Sequence, residues 1–217
     1  MKKNLVTGAT GFIGGKLSRR LKNLGEEVVG LGRNQERGLR LEEEGITFLN
    51  LDLRDREKVI RSLKDFDYVF HCSAYADYIG KYIDFYSNTV MTTKNIIESC
   101  FVNKPRRLIY VSTPSLYTDA NHKINLSEKD SFAKKQINPY TKTKLIAEQV
   151  IDKAYSEGID VVTIRPRAVI GAGDQNLVPK IVKASKRGIP IIDEGEALID
   201  VTHVEDVVDS LILAREK

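Results

Sequence analysis

Apolar residues fall into two alternating patterns along the chain. Short, nearly unbroken runs at Asn4–Thr7, Glu27–Leu31, Ile46–Leu51, Tyr68–Cys72, Arg107–Ser112 and Asp160–Ile164 read as buried strands. The stretches between them carry helical spacing. Ile13, Leu17, Leu21 and Leu24 mark a helix over Gly11–Leu24, and a short charged helix is expected over Gln35–Glu44, ended by Gly45. Further helices are predicted at Arg56–Leu63, Phe85–Asn103 and Pro139–Ser156. The last is opened by Asn138-Pro139, an N-cap followed by proline at the first helical position, and stopped by Gly158. A polar stretch, Thr118–Ile137, is long for a loop in a compact domain, and such loops often carry function. Beyond the sixth strand come a Gly171-Ala172-Gly173-Asp174 turn and a helix over Leu177–Lys186. A short run Ile189–Ile192, a strand near Leu198–Val201 and a last helix from Val204 complete the chain.

Strand–helix alternation with short links predicts an α/β fold, a parallel sheet covered on both faces. Right-handed crossovers make it doubly wound. No repeat or composition shift marks a boundary, so the 217 residues read as one compact unit. With 41% hydrophobic and 29% charged residues, wholesale disorder is excluded. The 34 Lys+Arg and 30 Asp+Glu are interspersed, so the net charge of +4 describes a solvated surface rather than a nucleic-acid stripe. No apolar run approaches the roughly 18 residues that span a bilayer, and Met1–Gly8 turns to Thr and Gly too soon for a signal peptide. A cytoplasmic protein without a membrane span is the expectation. The two cysteines, Cys72 and Cys100, suit a reduced compartment and are too few for a structural zinc site.

Chemistry enters at the first strand–helix junction, Thr7-Gly8-Ala9-Thr10-Gly11-Phe12-Ile13-Gly14. Residues without a Cβ let the chain turn sharply, let a pyrophosphate approach the backbone and let the helix pack close to the strand. Gly8, Gly11 and Gly14 suit those jobs in order, and the helix N-terminus offers free N–H groups to phosphate. A structural tight turn is the plain alternative. At the end of the second strand stands Arg33, with no acid beside it. An acidic residue there would bind a free ribose 2′-hydroxyl, whereas a guanidinium fits a 2′-phosphate, so NADP is favoured over NAD.

The spacing G-x-x-G-x-x-G, with Thr7, Ala9-Thr10 and the Phe-Ile-Gly ending, resembles the short-chain dehydrogenase/reductase superfamily, in its extended epimerase/dehydratase branch. That resemblance implies a Rossmann cofactor core, with Gly8, Thr10, Gly11, Phe12, Ile13 and Gly14 at the dinucleotide. It also implies an adenine contact from Asp52-Leu53 and a ribose–pyrophosphate lining from Cys72, Ser73 and Ala74. Cys72 then reads as packing rather than nucleophile, and no chemistry falls on His71.

Tyr140 and Lys144 lie four residues apart, hence on one helix face. A phenol with an ordinary pKa of about 10 is a poor base at neutral pH, and a neighbouring ammonium favours the phenolate. The pair could then exchange a proton with an alcohol or ketone while hydride moves at a nicotinamide. Alone it is a weak signal. Its context is Tyr110-Val111-Ser112-Thr113-Pro114-Ser115-Leu116-Tyr117, which resembles the family segment carrying the third catalytic hydroxyl; counting back from Tyr117 points to Thr113, with Ser112 the alternative. By the same resemblance Asn88 lies near the active site, among the cofactor contacts. Pro166 and Val169 flank the nicotinamide, and Lys144 also binds the ribose.

The matching segments occur in family order along essentially the whole chain, and look closest to the 3β-hydroxysteroid dehydrogenase-like group. They imply an NAD(P)-dependent oxidoreductase acting on a secondary alcohol or ketone of a small molecule. A nucleotide-sugar epimerase is the near alternative, and a non-catalytic dinucleotide sensor or scaffold the distant one. RNA binding, suggested only by the positive charge, finds no aromatic–basic interleaving. The pattern of sugar 4,6-dehydratases is absent, since Pro114-Ser115 follow Thr113. The family commonly dimerises through helices matching Phe85–Asn103 and Pro139–Ser156, which makes a homodimer an option here. Residues 1–165 are expected to form the dinucleotide-binding core, and 166–217 its end plus the beginning of a truncated substrate lobe.

Overall fold

The computed structural model describes residues 1–76, 80–119, 123–188, 193–196 and 198–216. Six strands form one parallel sheet in the order β3-β2-β1-β4-β5-β6: β1 (Lys3–Thr7), β2 (Glu27–Gly32), β3 (Thr47–Asn50), β4 (Tyr68–His71), β5 (Arg107–Val111) and β6 (Val161–Ile164). The order reverses between β1 and β4, the switch point at which ligands enter sheets of this kind. There Thr7 pairs with Leu31 on one side and His71 on the other.

Because strand residues alternate between faces, each strand feeds two cores. Leu5, Leu31, Val69, Leu108 and Tyr110 point to one, closed by α3 (Arg56–Ser62), α5 (Thr92–Asn103) and α6 (Pro139–Ser156). Val6, Val28, Phe70 and Ile109 point to the other, closed by α1 (Phe12–Asn23), α2 (Gln35–Glu43) and α8 (Val204–Glu216). The doubly wound reading of the sequence is therefore what the chain forms.

Two local readings change. The long helix expected from Phe85 begins as α4 (Tyr82–Phe85) and passes through a π turn at Tyr86–Met91 into α5. The threonines explain the widening: Thr92 Oγ1 donates to the Asn88 carbonyl at 3.0 Å and Thr93 Oγ1 to the Thr89 carbonyl at 2.7 Å, competing with the regular ladder. The strand expected near Leu198–Val201 forms instead at β8 (Thr202–His203), where it pairs in parallel with the two residues of β7 (Val169–Ile170). The run Ile189–Ile192 lies outside the described residues. In α7 (Leu177–Ser185) no residue is buried. No helix among the described residues is long and apolar enough to cross a membrane.

Candidate active site

Two adjoining cavities open along the carboxyl ends of β1, β2, β4 and β5. One, of about 310 Å³, is lined by Thr10, Arg33, Asp52, Leu53, Ser73 and Asn88. The other, of about 630 Å³, is lined by Phe12, Ile13, Gly14, Thr113, Tyr140, Lys144, Pro166 and Val169. Gly8, Gly11, Cys72 and Ala74 border both. Every candidate catalytic and cofactor-binding residue named from the sequence thus lies on one continuous cleft. Asn88 belongs to the smaller cavity, away from the wall that carries Tyr140.

The glycine turn is sterically obligatory. Gly8 has φ +69°, and a Cβ on Gly14 would stand 2.4 Å from the Gly8 carbonyl oxygen. Gly11 caps α1 without a side-chain acceptor, and the first turn contains no acid, so its N–H groups face the cleft. A tight turn with no room for a Cβ at Gly14, bordering the cleft and opening a helix without a side-chain cap, fits a dinucleotide pyrophosphate.

At the far end of the smaller cavity Arg33 Nη1 donates to Asn88 Oδ1 at 2.7 Å. The π turn aims Asn88 at this point. A second guanidinium, not found by sequence reasoning, stands beside it: Arg37 donates to the Thr10 carbonyl at 3.2 Å and to Gln175 Oε1 at 2.8 Å. Neither arginine is salt-bridged among the described residues, though Asp52 on the same cavity lies close enough to Arg33 for that charge to add to Arg54's in lowering its carboxyl. The signal for Arg37 was present in its four-residue spacing from Arg33, but needed the start of α2 at Gln35, fixed by an Asn34 cap. Asp52 is held by Arg54, which keeps its carboxyl below the usual range.

In the larger cavity, α6 positions Tyr140 and Lys144. Its start is fixed by a reciprocal capping box, Asn138 with Thr141, and by Pro139. Lys144 is 1% exposed. Its Nζ donates to the Val111 carbonyl at 2.7 Å and to Tyr110 Oη at 2.9 Å. Burial brings this amine down to about 7, against the opposing pull of Glu148 and Cys72. Glu148, 1% exposed, is locked by Arg165 through two bonds of 2.9 and 2.7 Å. Thr113 Oγ1 accepts from the Ser115 N–H at 3.2 Å and donates to Ser115 Oγ at 3.1 Å, capping a single turn at Pro114–Tyr117. The neighbouring Ser112 hydroxyl is buried and has no hydrogen-bond partner among the described residues. Burial pushes the Cys72 thiol up to about 12, which agrees with a packing role. Among the described residues no group of His, Cys, Asp and Glu could hold a metal.

His71 is fully buried between Thr7 and Thr93, with Nδ1 2.8 Å from Thr7 Oγ1 and Nε2 3.1 Å from Thr93 Oγ1. Desolvation lowers it to about 3, so the ring is neutral near pH 7. It sits beneath the site and lines neither of these two cavities.

Comparison with known proteins accords with this geometry. The model of the NAD dependent epimerase/dehydratase family matches residues 4–217. A 2-alkyl-3-oxoalkanoate reductase of Stenotrophomonas maltophilia is 32% identical over 99% of the chain. The murine decarboxylating sterol-4-alpha-carboxylate 3-dehydrogenase is 31% identical over 99%. The chain spans 65% of the first relative's length and 59% of the second's. Among solved structures, a UDP-N-acetylglucosamine 4-epimerase from Methanobrevibacter ruminantium superposes with a TM-score of 0.86 at 26% identity, covering 100% of this chain and 73% of that one. A UDP-glucuronic acid 4-epimerase from Bacillus cereus, in complex with UDP-glucuronic acid and NAD, gives 0.85 at 26%, covering 99% and 73%.

Proposed function

The chain belongs to the NAD dependent epimerase/dehydratase family, and from that premise we propose that it is an NAD(P)-dependent oxidoreductase acting at a secondary alcohol or ketone. The observation that carries this reading is the fully buried Lys144 ammonium, which lines the same cavity as Tyr140, Thr113 and the glycine turn. When bound, the dinucleotide supplies the hydride acceptor or donor. Gly8, Gly11, Gly14 and the open start of α1 hold its pyrophosphate, and Pro166 and Val169 border its nicotinamide end. Tyr140 moves a proton at the substrate oxygen, Lys144 favours the phenolate and binds the ribose, and the Thr113 hydroxyl orients the oxygen once it leaves Ser115. Arg33 and Arg37 favour NADP, because among the described residues neither guanidinium is salt-bridged and both suit a 2′-phosphate, while the Asp52 carboxylate on the same cavity is held by Arg54.

Ile137, Pro114, Leu177 and Ile199 give the larger cavity an apolar wall. This favours a substrate with an apolar body, such as a 2-alkyl-3-oxo acid of the kind named for the bacterial relative. A nucleotide-sugar epimerase is the second reading, favoured by the 0.86 superposition on a solved 4-epimerase. Net change in NAD(P)H absorbance separates them. A 2-alkyl-3-oxo acid should consume NADPH under the first reading. Interconversion of UDP-sugars with no net cofactor change would support the second.

A further inference from the structure

Behind the buried cation stands a group that the proposed reaction does not use. We propose that Tyr110 is a positioning residue for Lys144: its phenol oxygen and the Val111 carbonyl take two of the three ammonium N–H bonds, leaving one donor of fixed direction for the cleft. This inference rests on the role proposed above for Tyr140 and Lys144.

Tyr110 is itself immobilised. It is fully buried in β5, between His71 of β4 and Thr163 of β6 in register. Its ring stacks on His71 with centroids 5.6 Å apart and planes 28° from parallel. The hydrogen bonds around His71 are met by the tautomer with its proton on Nε2. The Thr93 hydroxyl donates to the Thr89 carbonyl, so its oxygen accepts from Nε2–H. Nδ1 then accepts from the Thr7 hydroxyl, whose oxygen takes the Ser73 N–H at 3.2 Å. A buried polar chain therefore runs from Ser73, on the wall of the smaller cavity, to the ring that braces Tyr110. It ties the ammonium of the larger cavity to the frame of the smaller one.

The titratable groups around Lys144 are Tyr140 and Glu148 on α6, Cys72 after β4, His71 on β4 and Tyr110 on β5. Glu148 is committed to Arg165, and burial keeps Cys72 and His71 uncharged near neutral pH. Burial also raises the Tyr110 phenol, so it stays protonated and acts as a neutral acceptor. Removing it takes a charge-assisted hydrogen bond from the ammonium, stronger than the one the neutral amine could make to the same hydroxyl, so Lys144 should release its proton at lower pH.

Tyr110→Phe keeps the ring and deletes the acceptor. Protein carrying [ε-13C]lysine is titrated by NMR, with the Lys144 signal assigned from Lys144→Met. The expected midpoint lies near 7 in the parent and about one pH unit lower in Tyr110→Phe. The alkaline limb of NADPH-dependent turnover of a 2-alkyl-3-oxo acid should move with it. Equal midpoints and superimposable pH profiles would overturn the proposal. Should Tyr110→Phe fail to fold, the parent alone decides. At pH 5.5 an ammonium held by two fixed acceptors gives a slowly exchanging 1H–15N signal, lost in Lys144→Met. Exchange as fast as that of surface lysines would equally overturn it. Tyr140→Phe keeps the two ideas apart. Undiminished turnover there refutes the reaction, while the Lys144 midpoint still judges Tyr110.

Discussion

Buried ionisable groups set the character of this site residue by residue. His71 is neutral because desolvation lowers it from 6.5 to about 3. A base with a depressed folded pKa binds its proton more readily when unfolded, so stability is lost as pH falls from about 6.5 to about 3. The loss reaches roughly 1.4 kcal/mol per pH unit. Urea midpoints measured across that window should fall more steeply for the parent than for His71→Gln; parallel curves would contradict the assignment. At the other end of the cleft, Arg33→Ala and Arg37→Ala should each weaken NADPH binding about tenfold or more by calorimetry and leave NADH within about threefold. Equal losses for both cofactors would argue against a 2′-phosphate contact. Legibility was uneven at this scale. Tyr140 and Lys144 share a helix, so spacing revealed them. Tyr110 reaches Lys144 across 34 residues through a strand-to-helix contact, which periodicity does not encode.

Elements turn those residues into a site. The turn before α1 works because Gly14 has no Cβ, and the atom it would strike is a backbone oxygen that cannot swing away. Gly14→Ala should therefore cost about 2 kcal/mol, read as a lower urea midpoint, and should lose dinucleotide binding as the start of α1 is displaced. Asn138→Ala removes the acceptor of the α6 capping box and should cost about 1 kcal/mol. Both features were visible in the sequence, because turn glycines and N-caps act within a few residues. The π turn at Tyr86–Met91 was not: it arises from threonine hydroxyls bonding back to carbonyls, which hydrophobic spacing does not report. It matters because it places Asn88 against Arg33.

At the scale of the whole molecule, the last helix fastens the first strand. Arg215, its side chain 2% exposed, bonds Asn4 Oδ1 at 3.1 Å and Glu26, and α8 adds Val207, Val208 and Leu211 to the core beneath α1. Arg215→Ala leaves Glu26 without its cation and should destabilise the protein by about 3 kcal/mol in equilibrium unfolding. The parallel, doubly wound sheet was legible from alternation and crossover handedness, while its strand order came only from the structure. Between β7 and β8 the helix over Leu177–Lys186 was legible and forms as α7, but the two-residue strands on either side give no periodicity of their own. All of this converges on one cleft whose proposed working pair is Tyr140 and Lys144. The most direct measurement compares Tyr140→Phe with the parent, following NADPH-dependent reduction of a 2-alkyl-3-oxo acid together with NADPH binding. Turnover should fall at least about 100-fold while the cofactor Kd stays within about threefold. Turnover equal to the parent's, with the same cofactor affinity, would contradict the account.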